Sequence, residues 1–333
     1  MKIVSIAHRF LSILLTEKQK HFLRNNLHLR IFRNSIALWR FNESYGNLSE
    51  KDKIRTQQIF SRVRLRSGNS DIAELPFEIN INSDLCELYG LLTGDGSVLR
   101  VCRFYNTNET LVKKFDELLY KNFKVTTRQE ETRNHHYVPK VIQVVLENLF
   151  GKKGYSRTAK VPPIMFNLEK EFVKAYIRGL FDTDGCSSHE PPKLTSSSIE
   201  LLKGVKMLLS NKVSIESRIR CNRKNDYDLI IGNSDKYNVF FNTLKFYENI
   251  NFNHSKKKKL LEKKIVDRTL YKTLCLVRNG CNSSSEVRDK LGISWTIAID
   301  HLNKLEEFGL LDKIKTNDGN KHLWFINESG RRL

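Results

Sequence analysis

Residues 86–97, CELYGLLTGDGS, and residues 175–186, AYIRGLFDTDGC, decide how this chain is read. Laying Gly90 on Gly179 also lays Asp95 on Asp184, at an offset of 89 positions. The likeness continues at an offset of 90, where Asn106, Asn108 and Leu111 meet Ser196, Ser198 and Leu201. Self-similarity over so long a period marks a duplicated structural unit. After each motif the pattern predicts a helix and a hairpin-like pair of strands. The strands fall near 124–130 and 137–146 in the first copy, and near 214–221 and 227–231 in the second. Turn-prone segments at 132–134 and 222–226 separate them. Residues 76–265 therefore read as one α+β domain, with halves of about 76–165 and 166–265 related by a pseudo-twofold axis.

The chain has 333 residues, with 57 Lys+Arg against 37 Asp+Glu, a formal net charge of +20. So basic a surface implies a polyanionic partner. Hydrophobic residues make up 40%, enough to build real cores. No run approaches the ~18 uncharged apolar residues of a spanning helix, which excludes an integral membrane protein. The six cysteines form no CxxC pair, which argues against a zinc site or a disulfide scaffold.

The charge gathers at the two ends. Residues 1–75 hold 14 basic and 6 acidic groups, and residues 251–333 hold 17 and 10. Residues 1–75 read as a basic, mainly helical region, with helix starts at Thr16/Gln19 and Ser49/Asp52. The expected compartment is the cytoplasm of a microbe, at the nucleoid, or an organelle if the basic start is a transit peptide. Residues 266–333 read as three helices and a strand–turn–strand. The third helix starts at Ser294 and has an apolar stripe of Ala298, Leu302, Leu305 and Phe308. That is the order of a winged helix-turn-helix.

Asp95 and Asp184 each close a short apolar helix and precede a glycine. One such acid is most simply a helix-end turn, with Gly96 or Gly185 after it. Two are harder to dismiss. A carboxylate at a helix C-terminus meets the negative end of the dipole, at a cost of ~0.3–1 kcal/mol. Two ends side by side add mutual repulsion, so a compensating cation is expected. Mg²⁺, which favours oxygen ligands, is the simplest. Gly90 and Gly179 let the two helices approach closely, and Leu91, Leu92, Leu180 and Phe181 supply the apolar seam. Two carboxylates and Mg²⁺ on a basic surface suit phosphodiester hydrolysis.

These residues resemble the LAGLIDADG (dodecapeptide) homing endonucleases in their single-chain, two-motif form. The resemblance covers about 76–265 and extends to KVPP at 160–163, LTSSS at 194–198 and the Lys-rich stretch at 252–259. It implies two αββαββα halves, a saddle of strands in the DNA major groove, and double-strand cleavage of a long site with two or three Mg²⁺ ions. It carries the catalytic and metal-binding role to Asp95 and Asp184, and makes Asp182 accessory, since the first copy has Thr93 there. It also implies basic residues near the metals. Lys160 is the first-half candidate. In the second half Lys256 is favoured, with His254 and Lys257 open.

The strand near 214–221 alternates so that Arg218 and Arg220 share a face, with Arg223 and Lys224 in the turn. Arg100, Arg103, Arg128 and Arg133 are the first-half counterparts. Arginine reads guanine edges bidentately, while lysine chiefly holds phosphate. In the C-terminal unit Trp295, Thr296, Lys315 and Lys321 are the expected contacts. The expected partner is double-stranded DNA bound by a monomer, with no membrane. Two alternatives stand beside the enzyme. A non-catalytic regulator with a LAGLIDADG fold and a helix-turn-helix would lack the acid pair. A maturase would bind intron RNA. An intein is disfavoured by the Met1-Lys2 start and the Arg331-Arg332-Leu333 end.

Overall fold

The computed structural model describes residues 2–6, 11–26, 29, 35–67, 72–97, 102–130, 133–187, 191–222, 226–266, 268–316 and 322–331. The fold is α+β, helices on open antiparallel sheets.

The N-terminal unit differs from the expected helical region. It contains strands β1 (Leu11–Leu14), β2 (Ser35–Ala37), β3 (Arg62–Ser67) and β4 (Ala73–Pro76), in the order β2-β1-β3-β4. Helices α1 (Glu17–Asn26), α2 (Leu38–Gly46) and α3 (Glu50–Ile59) complete it. The expected helix starts are where the sequence put them. Thr16 and Gln19 bond reciprocally, and the Ser49 hydroxyl accepts from the Asp52 amide. The strands escaped notice because they are short or hidden in charge. In β3 the run RVRLRS alternates with period two, burying Val63 and Leu65 and leaving arginines outside.

The central domain repeats as expected. Its first half runs α4 (Ser83–Asp95), β5 (Gly96–Ser97), β6 (Arg103–Tyr105), α5 (Glu109–Phe123), β7 (Arg128–Glu130), β8 (Arg133–Tyr137) and α6 (Lys140–Phe150). Its second runs α7 (Lys170–Asp184), β9 (Gly185–Cys186), β10 (Lys193–Ser196), α8 (Ile199–Leu208), β11 (Ser217–Cys221), β12 (Tyr227–Ile231) and α9 (Lys236–Ile250). The sheets have matching orders, β5-β6-β8-β7 and β9-β10-β12-β11. The duplication extends to single hydrogen bonds. The Asn108 side chain caps α5 through the Leu111 amide while its own amide donates to Asn106 Oδ1. Ser198 caps α8 through Leu201 and donates its amide to Ser196 Oγ.

One expected strand is a helix. Residues 137–146 divide between the end of β8 and α6. The run from Val141 to Leu146 is buried on every side, so it shows neither period, and Pro139 at the N-cap starts the helix.

The centre of the domain is the pairing of α4 with α7. A Cβ placed on Gly90 would lie 2.2 Å from the Tyr176 carbonyl oxygen, and one on Gly179 would lie 2.4 Å from that of Glu87. No side chain fits between these backbones. Leu91, Leu92, Leu180 and Phe181 close the seam with at most 1% exposure each. Burying such a side chain contributes ~1.5–3 kcal/mol. Across the seam Arg178 bonds the buried Glu87 at 2.5 Å, and the rings of Tyr89 and Tyr176 stack at 6.5 Å.

After α10 (Ser255–Val266) the chain forms α11 (Thr269–Arg278), α12 (Ser284–Leu291), α13 (Trp295–Glu307), the antiparallel pair β13 (Leu311–Lys315) and β14 (His322–Ile326), and α14 (Glu328–Arg331). Ser283 and Glu286 form a capping box at α12, and Ser294 caps α13. Phe308 stacks on Phe241 of α9 at 4.5 Å, joining this unit to the central domain.

Replacing Gly90 or Gly179 with Val forces the two backbones apart. We expect either variant to lose about 1–3 kcal/mol or more of stability in urea unfolding, whereas Gly46→Ala, with open space around it, should stay within about 1 kcal/mol.

Candidate active site

Asp95 and Asp184 end α4 and α7, and the helix contact brings them together. The helices stay close to their last turn. A Cβ on Gly94 would meet Thr183 Oγ1 at 1.9 Å and lie 3.3 Å from the Asp184 carboxyl carbon. A cavity of about 350 Å³ opens at Asp95, walled by Ser97, Tyr105, Lys153, Tyr155 and Ser156. A second, of about 280 Å³, opens at Asp184 against Lys153, Ser156, Thr195, Ser196 and Asp226. Both share Gly94, Gly96, Lys153 and Ser156 as lining.

The two acids are not held alike. Asp95 Oδ2 accepts from Asn106 Nδ2 at 2.6 Å. Asp184 accepts no hydrogen bond from any described residue. Burial pushes the Asp184 carboxyl up to about 7, the charge of Asp95 adds to the rise, and Lys153 and Lys257 oppose it. Burial raises Asp95 as well, against the Asn106 bond and the two lysines.

Two lysines sit beneath the acids. Lys153 Nζ donates to the Leu92 carbonyl at 2.5 Å and to that of Gly96. Lys257 Nζ donates to the carbonyls of Phe181, Asp182 and Thr183 at 3.0, 2.7 and 2.8 Å. Leu92 and Phe181 are equivalent under the repeat, so the two ammonium groups cap equivalent helix ends. Burial brings Lys153 down to about 8, opposed by Asp184 and Asp95, and also lowers Lys257. The cation expected at these negative helix ends is thus in part a pair of lysines. The carboxylates themselves keep acceptor capacity.

These positions differ from the expected ones. Lys160 and Lys256 are both exposed and line neither cavity. The lysines at the acids are Lys153 and Lys257. Lys257 was one of the open choices. Lys153 was missed because the repeat does not point to it: it stands two residues beyond Gly151 at the end of α6, whereas Lys257 stands six beyond Asn251 at the end of α9. The signal that could have found it is a lysine just past a helix that packs under the motif.

Asp182 has a structural task. It is 1% exposed and accepts from the amides of Asn253 and His254 at 3.1 and 3.0 Å and from Asn253 Nδ2 at 2.8 Å. It thereby holds the segment that delivers Lys257. His254 Nε2 lies 3.2 Å from Asn108 Nδ2, a tie between the halves. Among the described residues no cluster of three or more His, Cys, Asp or Glu side chains could hold a metal. Any ion would rest on Asp95 and Asp184 and take its other ligands elsewhere.

Of the expected arginines, the described strands hold Arg103, Arg128, Arg133, Arg218 and Arg220. Register places Arg218 opposite Ile230 and Arg220 opposite Asp228, on the face away from Ile219 and Leu229. The Arg218 guanidinium donates to the Gly232 carbonyl at 3.1 Å, and Arg220 is exposed. On the same face Asp228 takes Lys193 at 2.9 Å and the Thr195 hydroxyl at 2.7 Å. In the first half Arg103 lies 4.8 Å over the Tyr137 ring, Tyr105 meets His135 edge-on, and Arg128 is exposed. Arg100, Arg223, Lys224 and Lys321 lie outside the described residues, as does the Arg133 side chain. Trp295 is 55% exposed at the start of α13, beside exposed Thr296, and Lys315 is exposed on β13.

A duplicated α+β unit with two acids at paired helix ends is the class that the fold and the site define. Residues 171–245 match the family model described as a LAGLIDADG-like domain. This stretch is similar to a LAGLIDADG-like domain, and the second motif, residues 175–186, lies inside the match. Similar curated proteins are DNA-directed RNA polymerase subunit Rpo1C of Methanocaldococcus jannaschii, 30% identical over 57% of this chain and 22% of that protein, and replication factor C small subunit of the same organism, 29% identical over 56% and 10%. The ribonucleoside-diphosphate reductase NrdEB subunit alpha of Bacillus subtilis is 28% identical over 47% and 17%. The chain thus spans between a tenth and about a fifth of these relatives' lengths. Among solved structures, mesophilic variants of the homing endonuclease I-DmoI match at 20% identity and TM-score 0.38, over 50% of this chain and 88% of that one. Full-length DUF199/WhiA from Thermatoga maritima matches at 12% identity and TM-score 0.36, over 69% and 93%. No described helix is long and apolar enough to cross a membrane.

The raised Asp184 carboxyl links stability to pH. The folded state binds its proton more tightly than the unfolded chain does, so the contribution to stability is full below about pH 4 and is lost as pH rises through about 7. Asp184→Asn in chelator should therefore gain on the wild type between pH 4 and 8, by about 1 kcal/mol or more at the upper end. Urea unfolding at both pH values checks it, and an equal difference at each would contradict it.

Lys257→Met should lower the melting temperature by several degrees, since three carbonyls lose their donor. Lys256→Met should leave it within about one degree.

Proposed function

We propose that the chain is a site-specific DNA endonuclease, hydrolysing phosphodiester bonds in both strands of one duplex with Mg²⁺ at Asp95 and Asp184. One observation carries this reading: two half-buried carboxylates converge at the ends of apposed helices, and Asp184 has no hydrogen-bond donor among the described residues. An acid kept for structure alone would be satisfied as Asp182 is, by three donors.

The donor set fits the ion. Carboxylate oxygens suit a hard cation that completes its shell with water and phosphate oxygens. When bound, Mg²⁺ eases deprotonation of water and offsets charge on the scissile phosphate. The chain's own groups do the rest. Lys153, with its amine brought down to about 8, keeps its proton at pH 7 and places a positive charge in the cavities beside both acids. Lys257 holds the last turn of α7, and so the position of Asp184, through three carbonyls. Arg103, Arg128, Arg218 and Arg220 orient the duplex across the two sheets. With one acid for each strand, a monomer suffices. The C-terminal unit, read as a winged helix, adds contacts through Trp295, Thr296 and Lys315.

The test is incubation of purified protein and Mg²⁺ with duplex spanning the empty insertion locus of its own gene. We expect a double-strand break that chelator prevents. Asp95→Asn and Asp184→Asn should each lower cleavage about 10²–10³-fold or more, with duplex affinity within about threefold of wild type. Undiminished cutting in both variants would discard the assignment. Tight, specific binding with no cutting of any duplex by the wild type would favour the regulator.

A further inference from the structure

The N-terminal sheet has a second face that its core does not explain. In β3, Val63 and Leu65 point inward, while Arg62 and Arg64 are exposed and Arg66 is half-buried on the other side. Register sets Leu14 beside Arg64 and Ser12 beside Arg66, with Ser35 and Ala37 next to them on β2. Glu74 lies opposite Arg64 but gives its carboxylate to Arg62. Neither the Arg64 nor the Arg66 guanidinium has an ion pair or hydrogen bond with a described residue.

Exposed strand charges often protect a sheet edge from pairing. That explanation does not apply here, because β3 lies between β1 and β4. An inner strand with arginine at each outward position, beside Ser12, Leu14, Ser35 and Ala37, makes a basic strip on this face. We propose that this face is a second contact for duplex DNA, gripping phosphates outside the segment read by the central sheets. The inference rests on the DNA reading above. Arg64 and Arg66 stand about 7 Å apart along the strand, about two phosphate steps of 3.4 Å along a duplex. The face carries no aromatic ring, the platform that single-stranded nucleic acid needs for base stacking.

The experiment compares the 333-residue chain with R64Q/R66Q and R64K/R66K by equilibrium binding to a long duplex over a salt series. Two lost phosphate contacts should make the slope of log affinity against log salt shallower by about 2 for R64Q/R66Q. The loss should be equal on target and scrambled duplexes, and R64K/R66K should keep the wild-type slope. Circular dichroism melts establish that the variants fold. If wild type binds duplex with a steep salt slope and R64Q/R66Q keeps that slope, this contact is wrong and the DNA reading stands. If wild type binds no duplex, both fall. A loss seen only with single-stranded RNA also overturns the proposal.

Discussion

The approach of two helix backbones is the constraint on which everything else rests. Gly90 lies against the Tyr176 carbonyl and Gly179 against that of Glu87, with no room for a Cβ at either point. Such closeness is possible only if each helix offers its bare backbone at the same level, and the duplicated motif ensures that. It fixes where the helices finish, and hence where Asp95 and Asp184 stand. Each half then lays its strands outward from that point, in the same order. The reactive groups and the strands that meet the duplex are thus set by one contact.

That contact creates an electrostatic difficulty at its own end. Two helix C-termini and two carboxylates crowd into partly dry space. The chain answers by dividing the load. Lys153 and Lys257 take the carbonyls, Asn106 takes Asp95, and Asp184 keeps its acceptors. Asp182, two residues earlier and so turned inward, spends its oxygens on the segment that carries Lys257. Neighbouring acids of one motif therefore do different work, because one points into the core and the other into a cavity.

The repeat made the central fold legible. Residues such as Asn106 and Ser196 could be matched by position alone, and their hydrogen bonds agree. What stayed hidden has physical reasons. The run from Val141 to Leu146 is buried throughout, the polar Gln143 included, and so lacks a period. The strand β3 alternates, but its arginines drew attention to charge rather than to pleat. The lysines nearest the acids could not be told from sequence because position along the chain does not report which loop folds back under a helix end. Lys153 and Lys257 reach equivalent carbonyls from inequivalent places, and only three-dimensional packing reveals that.

The seam between the helices records that the halves have diverged into different partners. Under the repeat, Glu87 corresponds to Tyr176 and Tyr89 to Arg178. One crossing is therefore an ion pair, Glu87 with Arg178, and its mirror crossing is a stack of two tyrosines. Two copies of the first half would set glutamate against tyrosine at both crossings, and two copies of the second would set arginine against tyrosine. Neither homodimer would keep the ion pair or the tyrosine stack, so the seam is matched to an unlike pair of halves.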